Sequence, residues 1–257
     1  MTGKGLRVDD LHRGCLLARE VGPGTGMQAA LALRRTVFRG GRMDDADGHD
    51  LHCRHVVIED LSRDGLVLAT FRVRLFVNGT ALGRDSYAAR FYDLSRMRHW
   101  TRPVLEFGRF CTRQDQSTPD VPRLALGALT RLVDETGAGM LAGCTSFAGT
   151  DVGAASAALG WLGQHHLAPR TLAPQCRAPE HVMLPVPATG TAEGEVQMGL
   201  ALRQMPPLLR AYLQIGAWVS DHAVIDRDLD TFHLFTALDI TAVPPARARI
   251  LRLMAAG

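Results

Sequence analysis

The 257-residue sequence predicts an α/β fold of one domain, a mixed sheet with helices on both faces. Three observations carry this. Runs with helical spacing of apolar residues alternate with short β-branched runs along nearly the whole chain. The 46% hydrophobic content is enough to bury a sizeable core. No internal repeat at a fixed period suggests a solenoid or a propeller.

The first helix is expected from Gly26, where MQAALALRRTVF has apolar residues at helical spacing, and it should stop near Arg39-Gly40-Gly41. HVVIED (55–60) and LVLATFRVRLF (66–76), separated by the turn-prone SRDG, read as an antiparallel hairpin. After a loop containing NGTALGRDS, YAARFYDLSRMRHW (87–100) reads as helical, and Pro103 breaks the chain before a third strand, VLEFGRFCTR. LALGALTRLVDETGA is a helix with Pro122 in its first turn and Gly137 near its stop. MLAGCTSF follows as a strand and ASAALGWLGQHH as a helix, before an irregular, Pro-rich stretch from Ala168 to Pro187. Residues 188–198 are small and polar and read as a mobile loop. MPPLLRAYLQIG is a short helix, and AWVSDHAVIDRDLDTFHLFTALDI supplies two strands. These elements read as a single domain spanning 1–257.

Composition narrows the function classes. Lys+Arg 29 against Asp+Glu 26 leaves a net charge of only +3, too little to argue for nucleic acid. Lys4 is the only lysine, so the basic surface is guanidinium, which pairs bidentately with carboxylates and phosphates. Cys15, Cys53, Cys111, Cys144 and Cys176 are odd in number and lack CxxC spacing, which predicts neither a disulfide framework nor a zinc knuckle and fits a reducing cytoplasm. The first residues lack the apolar run of a signal peptide, and no segment of about 18 apolar residues occurs. The expected location is cytoplasmic, at most peripheral on a membrane.

Residues 43–55, MDDADGHDLHCRH, collect metal-ligand types. His49, His52 and His55 at three-residue spacing would converge only on a helix, whereas Gly48, the aspartates and the strand beginning at His55 predict a loop, so no metal is expected. His165 and His166 read as helix-end or surface residues. In VLEFGRFCTR, alternation sends Leu105, Phe107 and Arg109 to one face and Val104, Glu106, Gly108 and Phe110 to the other. Charges on such an apolar strand mean either a solvated edge or a site; Gly108 favours a site, since glycine in a strand marks a bulge or a close approach of ligand to backbone. Arg72 in the preceding hairpin poses the same question, because a buried arginine needs a carboxylate. Asp47 and Asp50 are the carboxylates expected to meet Arg72 and Arg109, in a charged cluster beside Glu106.

The ordered set DADGHDLHCRHVVIED, TFRVRL, SYAARFYDLS, LEFGRFC, LAGCTSFAGTD and PPLLRAYLQIGAWVSDHAVID resembles the ornithine N-acyltransferases of ornithine-lipid synthesis, over roughly residues 27–245. The resemblance implies an acetyltransferase-like (GNAT) fold, related to the acyl-homoserine-lactone synthases. It implies transfer of a 3-hydroxyacyl group from acyl carrier protein to the α-amine of L-ornithine, with Asp47, Asp50, Arg72, Glu106 and Arg109 as the active-site cluster. Glu106 is the expected base, since an amine attacks a thioester only when neutral. Backbone N–H groups around Gly108 to Cys111 are expected to face the oxyanion. Phe107, Gly108, Phe110 and Cys111 of this strand and Ser146 and Phe147 of the next are expected to line the path of the acyl chain and pantetheine arm. Cys111 and Cys144 read as small core residues rather than nucleophiles.

The segment TRQDQSTPDVPRLALG lacks the RxxGxG pattern of coenzyme A users, which agrees with a phosphopantetheine arm as donor and no separate cofactor. Arg90, Arg96, Arg98 and Arg102 form either the docking patch for an acidic carrier protein or a solvated helix face. Asp221 and Asp226 are candidate partners for the acceptor's side-chain ammonium. A glutamine or lysine acceptor, a homoserine-lactone synthase, a non-catalytic acyl-binding protein and a metal-dependent hydrolase are the competing readings.

Overall fold

The structure is a computed structural model that describes residues 10–113, 115, 118–185 and 194–256. In chain order the strands and helices are β1 (Leu11–Arg13), β2 (Leu16–Val21), α1 (Thr25–Arg39), β3 (Arg54–Asp60), β4 (Leu66–Phe76), α2 (Gly79–Asp85), β5 (Tyr92–Asp93), β6 (Val104–Thr112), α3 (Asp120–Thr136), β7 (Met140–Ala148), α4 (Ser156–His165), β8 (Gln175–Cys176), β9 (His181–Met183), α5 (Gly194–Gln204), α6 (Pro207–Leu213), β10 (Trp218–Val219), β11 (His222–Asp226), β12 (Thr231–Asp239) and α7 (Pro245–Ala256). The chain forms two compact units. One comprises Met1–Leu75, Phe107–Ala138 and Pro245–Gly257, the other Phe76–Glu106 and Gly139–Pro244.

In the first unit β1, β2, β3 and β4 form an antiparallel ladder with β6 next to β4. β3 is buried almost throughout, so both its faces are covered. Against Val57 lie Ala30 and Leu33 of α1, together with Val21, Val67 and Cys111. α3 packs against β1 and β2 and against α7 so closely that a Cβ on Gly127 would sit 2.6 Å from the Met254 carbonyl oxygen. Gly40 ends α1 in the left-handed region (φ 56°), as a glycine at this position does without steric cost, and turns the chain into the acid-rich loop.

In the second unit the opening residues of β6 run parallel to β7, pairing Val104 with Met140 and Glu106 with Ala142, and α3 is the connection between the two strands. β7, β12, β11 and β9 continue antiparallel. Alternation along β12 separates two cores: Phe232 and Leu234 face Phe147, Leu159 and Leu209, whereas Phe235 and Ala237 face Leu82, Tyr92 and Met97. The expected α/β class with a mixed sheet and helices holds.

Several local expectations do not. Residues 87–100 are not one helix: two 3-10 turns (Ala88–Arg90 and Ser95–His99) flank β5, which pairs with β8. Asp93 takes the Ser95 N–H at 2.8 Å, a local bond that competes with helix continuation, and the Tyr92 hydroxyl is pulled into the core by the His233 carbonyl at 2.8 Å. NGTALGRDS, expected as a loop, contains α2, capped by the Asn78 side chain, which accepts from Ala81 N–H at 2.9 Å. Of the expected mobile loop 188–198, residues 188–193 lie outside the described residues and 194–198 open α5. β1, β2 and α7 extend the fold beyond the span of the resemblance.

Gly79 begins α2 where a Cβ would meet the Met97 carbonyl carbon at 2.7 Å. Gly79→Ala should therefore lower the melting temperature, with a loss of about 1–3 kcal/mol from forced displacement, measured by thermal unfolding.

Candidate active site

A charged group on the core-facing side of α1 organises the loop that follows. Ala30, Leu33 and Arg34 are the buried residues of this helix, and Arg34 is only 1% exposed. Its guanidinium bonds Asp45 through Nε at 2.9 Å and Asp50 through Nη1 at 2.7 Å, and it donates through Nη2 to the Asp45 carbonyl at 2.5 Å. Asp45 is wholly buried and also meets Arg39 at 3.2 Å. The loop is cross-braced internally, with Asp47 N–H donating to Asp50 Oδ2 and His49 N–H to Asp47 Oδ1, both at 2.9 Å.

The hairpin and β6 supply two more guanidiniums. Arg72 on β4 grips Asp47 with both Nη atoms, at 2.6 and 2.9 Å, and reaches Asp50 at 2.5 Å. Arg109 bonds Asp45 at 3.0 Å and Asp47 at 3.4 Å, with its guanidinium 5.8 Å from the centre of the Phe38 ring. Asp47, Asp50, Arg72 and Arg109 are thus brought together, all in the first unit. Arg34, Arg39 and Asp45 were missed by sequence reasoning. Their signal was present: Arg34 follows Leu33 and precedes Val37 at helical spacing on the apolar face, where an arginine requires a buried acid.

The electrostatics follow from burial and pairing. Burial pushes the carboxyls of Asp47 and Asp50 up, but hydrogen bonds and charge from Arg72 and Arg34 outweigh it and hold both below the ordinary aspartate value. Arg72 is held above its ordinary value because these carboxylates overcome its own desolvation. His55 on β3 is buried with Nε2 3.0 Å from the Asp50 carbonyl oxygen, and burial lowers its pKa, so the ring is neutral near pH 7. The buried carboxylates of the acid-rich stretch are therefore engaged by guanidiniums, and no group of three or more His, Cys, Asp or Glu side chains among the described residues is placed to hold a metal ion.

Within β6, Arg109 has φ 53°, a left-handed conformation that a non-glycine residue adopts at a cost. The irregularity expected at Gly108 falls one residue later, and it ends the alternation that placed Leu105, Phe107 and Arg109 together. A Cβ on Gly108 would face open space. Phe107 packs on Phe71 and Phe110, with ring centres 5.2 and 6.0 Å away. Burial pushes the Cys111 thiol up to about 12, so it is a packed, protonated core residue.

The other expected residues belong to the second unit. Glu106 is buried, and its carboxylate accepts the N–H groups of Tyr87 at 3.1 Å and Ala88 at 2.9 Å, holding the start of the 3-10 turn at Ala88–Arg90. Phe147 stacks on Phe232 at 4.8 Å, and Ser146 lies opposite His233 in the β7–β12 ladder. Arg90, Arg96, Arg98 and Arg102 are exposed, and none is ion-paired to a carboxylate among the described residues. Arg96 reaches the Arg170 carbonyl at 3.4 Å and Arg177 the Ala89 carbonyl at 2.7 Å, which adds two unexpected arginines to this surface. Asp221 lies 2.6 Å from His222 Nδ1 with half of its side chain exposed, and Asp226 is buried in the β11–β12 turn, accepting from Asp228 and Leu229 N–H.

Comparison with known proteins shows the class, an N-acyltransferase with an acetyltransferase-type domain. The model described as an acetyltransferase (GNAT) domain matches residues 33–126, which take in the acid-rich loop, the hairpin and β6. The chain is 32% identical over 206 residues to the L-ornithine N(alpha)-acyltransferase of Rhodobacter capsulatus, covering 77% of this chain and 76% of that one. It is 29% identical over 254 residues to the enzyme of the same name from Brucella abortus, covering 90% and 86%. Among solved structures it shows a distant likeness, TM-score 0.45 at 12% identity over 94% of this chain and 97% of the other, to an N-acyl amino acid synthase from uncultured soil microbes. The chain belongs to the L-ornithine N(alpha)-acyltransferase family.

Removing Arg34 takes the most deeply buried guanidinium from two buried carboxylates, leaving Asp45 with Arg39 and Arg109 and Asp50 with Arg72. Arg34→Met should cost about 3–5 kcal/mol in denaturant unfolding, more than any exposed arginine substitution such as Arg227→Met. His55 adds a pH dependence. Its pKa is lower folded than unfolded, so its contribution is complete above about pH 6.5 and is lost as pH falls below that value; the aspartates follow only below about pH 4. In His55→Gln the first of these declines should shrink while the second remains, as read from unfolding midpoints across pH.

Proposed function

We propose that this chain transfers a 3-hydroxyacyl group from the phosphopantetheine arm of acyl carrier protein to the α-amine of L-ornithine, giving lyso-ornithine lipid. The observation that supports the reading is the ion-paired set Asp47, Asp50, Arg72 and Arg109, the residues that the resemblance implies as part of the active-site cluster. Its net effect is to hold one loop and the irregular turn of β6 in a single arrangement. Positioning of this kind is a major source of rate enhancement when two substrates must meet.

In this mechanism the ornithine ammonium loses a proton, the neutral amine attacks the thioester carbon, and the tetrahedral intermediate collapses with release of the pantetheine thiol. Glu106 is the proposed base. Backbone N–H groups of Tyr87 and Ala88 help fix the carboxylate's orientation. Backbone N–H groups around Arg109, where φ 53° reorients the peptide units beside the open space over Gly108, are the proposed oxyanion donors. The donor's arm is a substrate, and the chemistry proposed needs neither metal nor resident cofactor.

The carrier protein is proposed to dock on Arg90, Arg96, Arg98 and Arg102, extended by Arg170 and Arg177. Supporting this is their exposure without carboxylate partners, the kind of field that steers an acidic protein. No helix among the described residues is long and apolar enough to cross a membrane. Because the product is an amphiphile, peripheral contact with the membrane's inner face is part of the proposal.

Mass spectrometry of the product from purified chain, 3-hydroxyacyl carrier protein and ornithine tests the reaction; N-(3-hydroxyacyl)ornithine is expected, and its absence with folded protein overturns the reading. Glu106→Gln should lower kcat by about 10²-fold or more with little change in KM for ornithine. Arg96→Glu with Arg98→Glu should raise KM for the acyl carrier protein and flatten its dependence on salt, with kcat retained at saturation.

A further inference from the structure

The outward face of α7 is apolar at its centre and basic at its edges. Ile250 and Leu253, three residues apart, lie on the same side of the helix and are 44% and 67% exposed. Helical spacing puts Arg247 on one flank of that pair and Arg249 on the other, both exposed and neither meeting a carboxylate among the described residues. The inward face is spent on α3: Ala255 is buried, the Arg131 guanidinium donates to the Ala255 carbonyl, and Gly127 leaves room for the Met254 carbonyl. Ile250 and Leu253 thus add nothing to the packing of α7 on α3.

The charge left over on this layer has one sign. α7 carries three arginines and no acid. The three acids of α3 are all paired, Asp120 with Arg13 and Arg123, Asp134 with Arg252, and Glu135 with Arg54. Arg247 and Arg249 remain, a charge complementary to an anionic surface. The layer also lies across the sheet from the charged cluster. On β3, Arg54 bonds Glu135 of α3 whereas Val57 packs on Ala30 and Leu33 of α1, and alternation puts these two residues on opposite faces. Arg72 stands opposite His55 in the β3–β4 ladder and so shares the face of Val57, α1 and the acid-rich loop. Whatever covers α7 leaves that cluster open, and a carrier protein seated there would be on the wrong side of the sheet to deliver its arm.

We propose that α7 is the surface through which this protein sits on an anionic phospholipid membrane. Ile250 and Leu253 enter the boundary between headgroups and acyl chains, and Arg247 and Arg249 pair with lipid phosphates. The inference rests on the acyltransfer reading for its purpose, since an amphiphilic product has to be passed to a bilayer, and it adds the surface that makes the contact. Arginine suits the flanks of such a stripe because its aliphatic stem lies along apolar surface while the guanidinium reaches out to bind phosphate through two parallel hydrogen bonds. A pair of apolar side chains with a pair of charges gives reversible attachment and not insertion. Reversible attachment keeps the enzyme in exchange with a water-soluble acyl donor.

The experiment is flotation of the full chain with vesicles of phosphatidylethanolamine and phosphatidylglycerol, and with vesicles of phosphatidylcholine alone. The wild type should float with the anionic vesicles and not with the neutral ones, and added salt should weaken the binding. Ile250→Ser with Leu253→Ser, and Arg247→Glu with Arg249→Glu, should each lower vesicle binding by about tenfold or more. Because these positions are exposed, the melting temperature should stay unchanged, and acyl transfer from carrier protein in vesicle-free buffer should match the wild type. Leu253→Trp gives a second reading, an emission shifted to the blue on anionic vesicles relative to the wild type. Equal flotation of wild type and variants, or none, overturns the assignment. So does a wild-type dimer in sedimentation that Ile250→Ser with Leu253→Ser dissociates without flotation, which gives the face to a second copy. A raised KM for carrier protein in Arg247→Glu with Arg249→Glu, without flotation, gives it to the carrier protein and overturns the assignment as well. Flotation lost in the variants with no acyl transfer by any form upholds the surface and overturns the acyltransfer reading; transfer without flotation does the reverse.

Discussion

The interaction on which the first unit depends is the burial of the Arg34 guanidinium between Asp45 and Asp50. A charge with 1% exposure on the core side of a helix is tolerable only if its hydrogen bonds are met, and here both carboxylates and a backbone carbonyl meet them. Since the partners lie eleven and sixteen residues further on, satisfying Arg34 forces the chain after Gly40 to fold back over the helix. A loop of this length without regular structure would otherwise be mobile.

From that anchor the constraint passes outward by sharing. Asp45 is common to Arg34, Arg39 and Arg109, and Asp50 to Arg34 and Arg72. Asp47, the most exposed of the three acids with 20% of its side chain accessible, is left at the rim between Arg72 and Arg109. Such sharing holds Arg109 in its left-handed conformation, whose cost the two carboxylate contacts and the Phe38 ring offset. The strained residue lies in the same strand as Glu106 and Gly108.

Much of this was legible in the sequence, for identifiable reasons. The hairpin and the helices α1, α3 and α4 have strong periodicity, and Gly40 and Gly137 mark two of their ends. Asp47, Asp50, Arg72 and Arg109 stood out because buried arginines need acids. What could not be read was set by long-range contacts. Tyr92 is drawn away from a helix by His233, which is 141 residues distant, and Asp45 gives no sign of preferring Arg34 over other arginines. Glu106 was expected beside the arginines; that its carboxylate would bind backbone N–H groups of a turn nearly twenty residues earlier has no periodic signature.

The measurement that tests the account most directly is a double-mutant cycle between Arg34 and Asp50, using Arg34→Met, Asp50→Asn and the double variant in denaturant unfolding. A favourable coupling free energy of about 2–3 kcal/mol, with the double variant less damaged than the sum of the single ones, is the result predicted for a shared buried pair. Additive losses would contradict the claim that this pair organises the loop and, through it, the site.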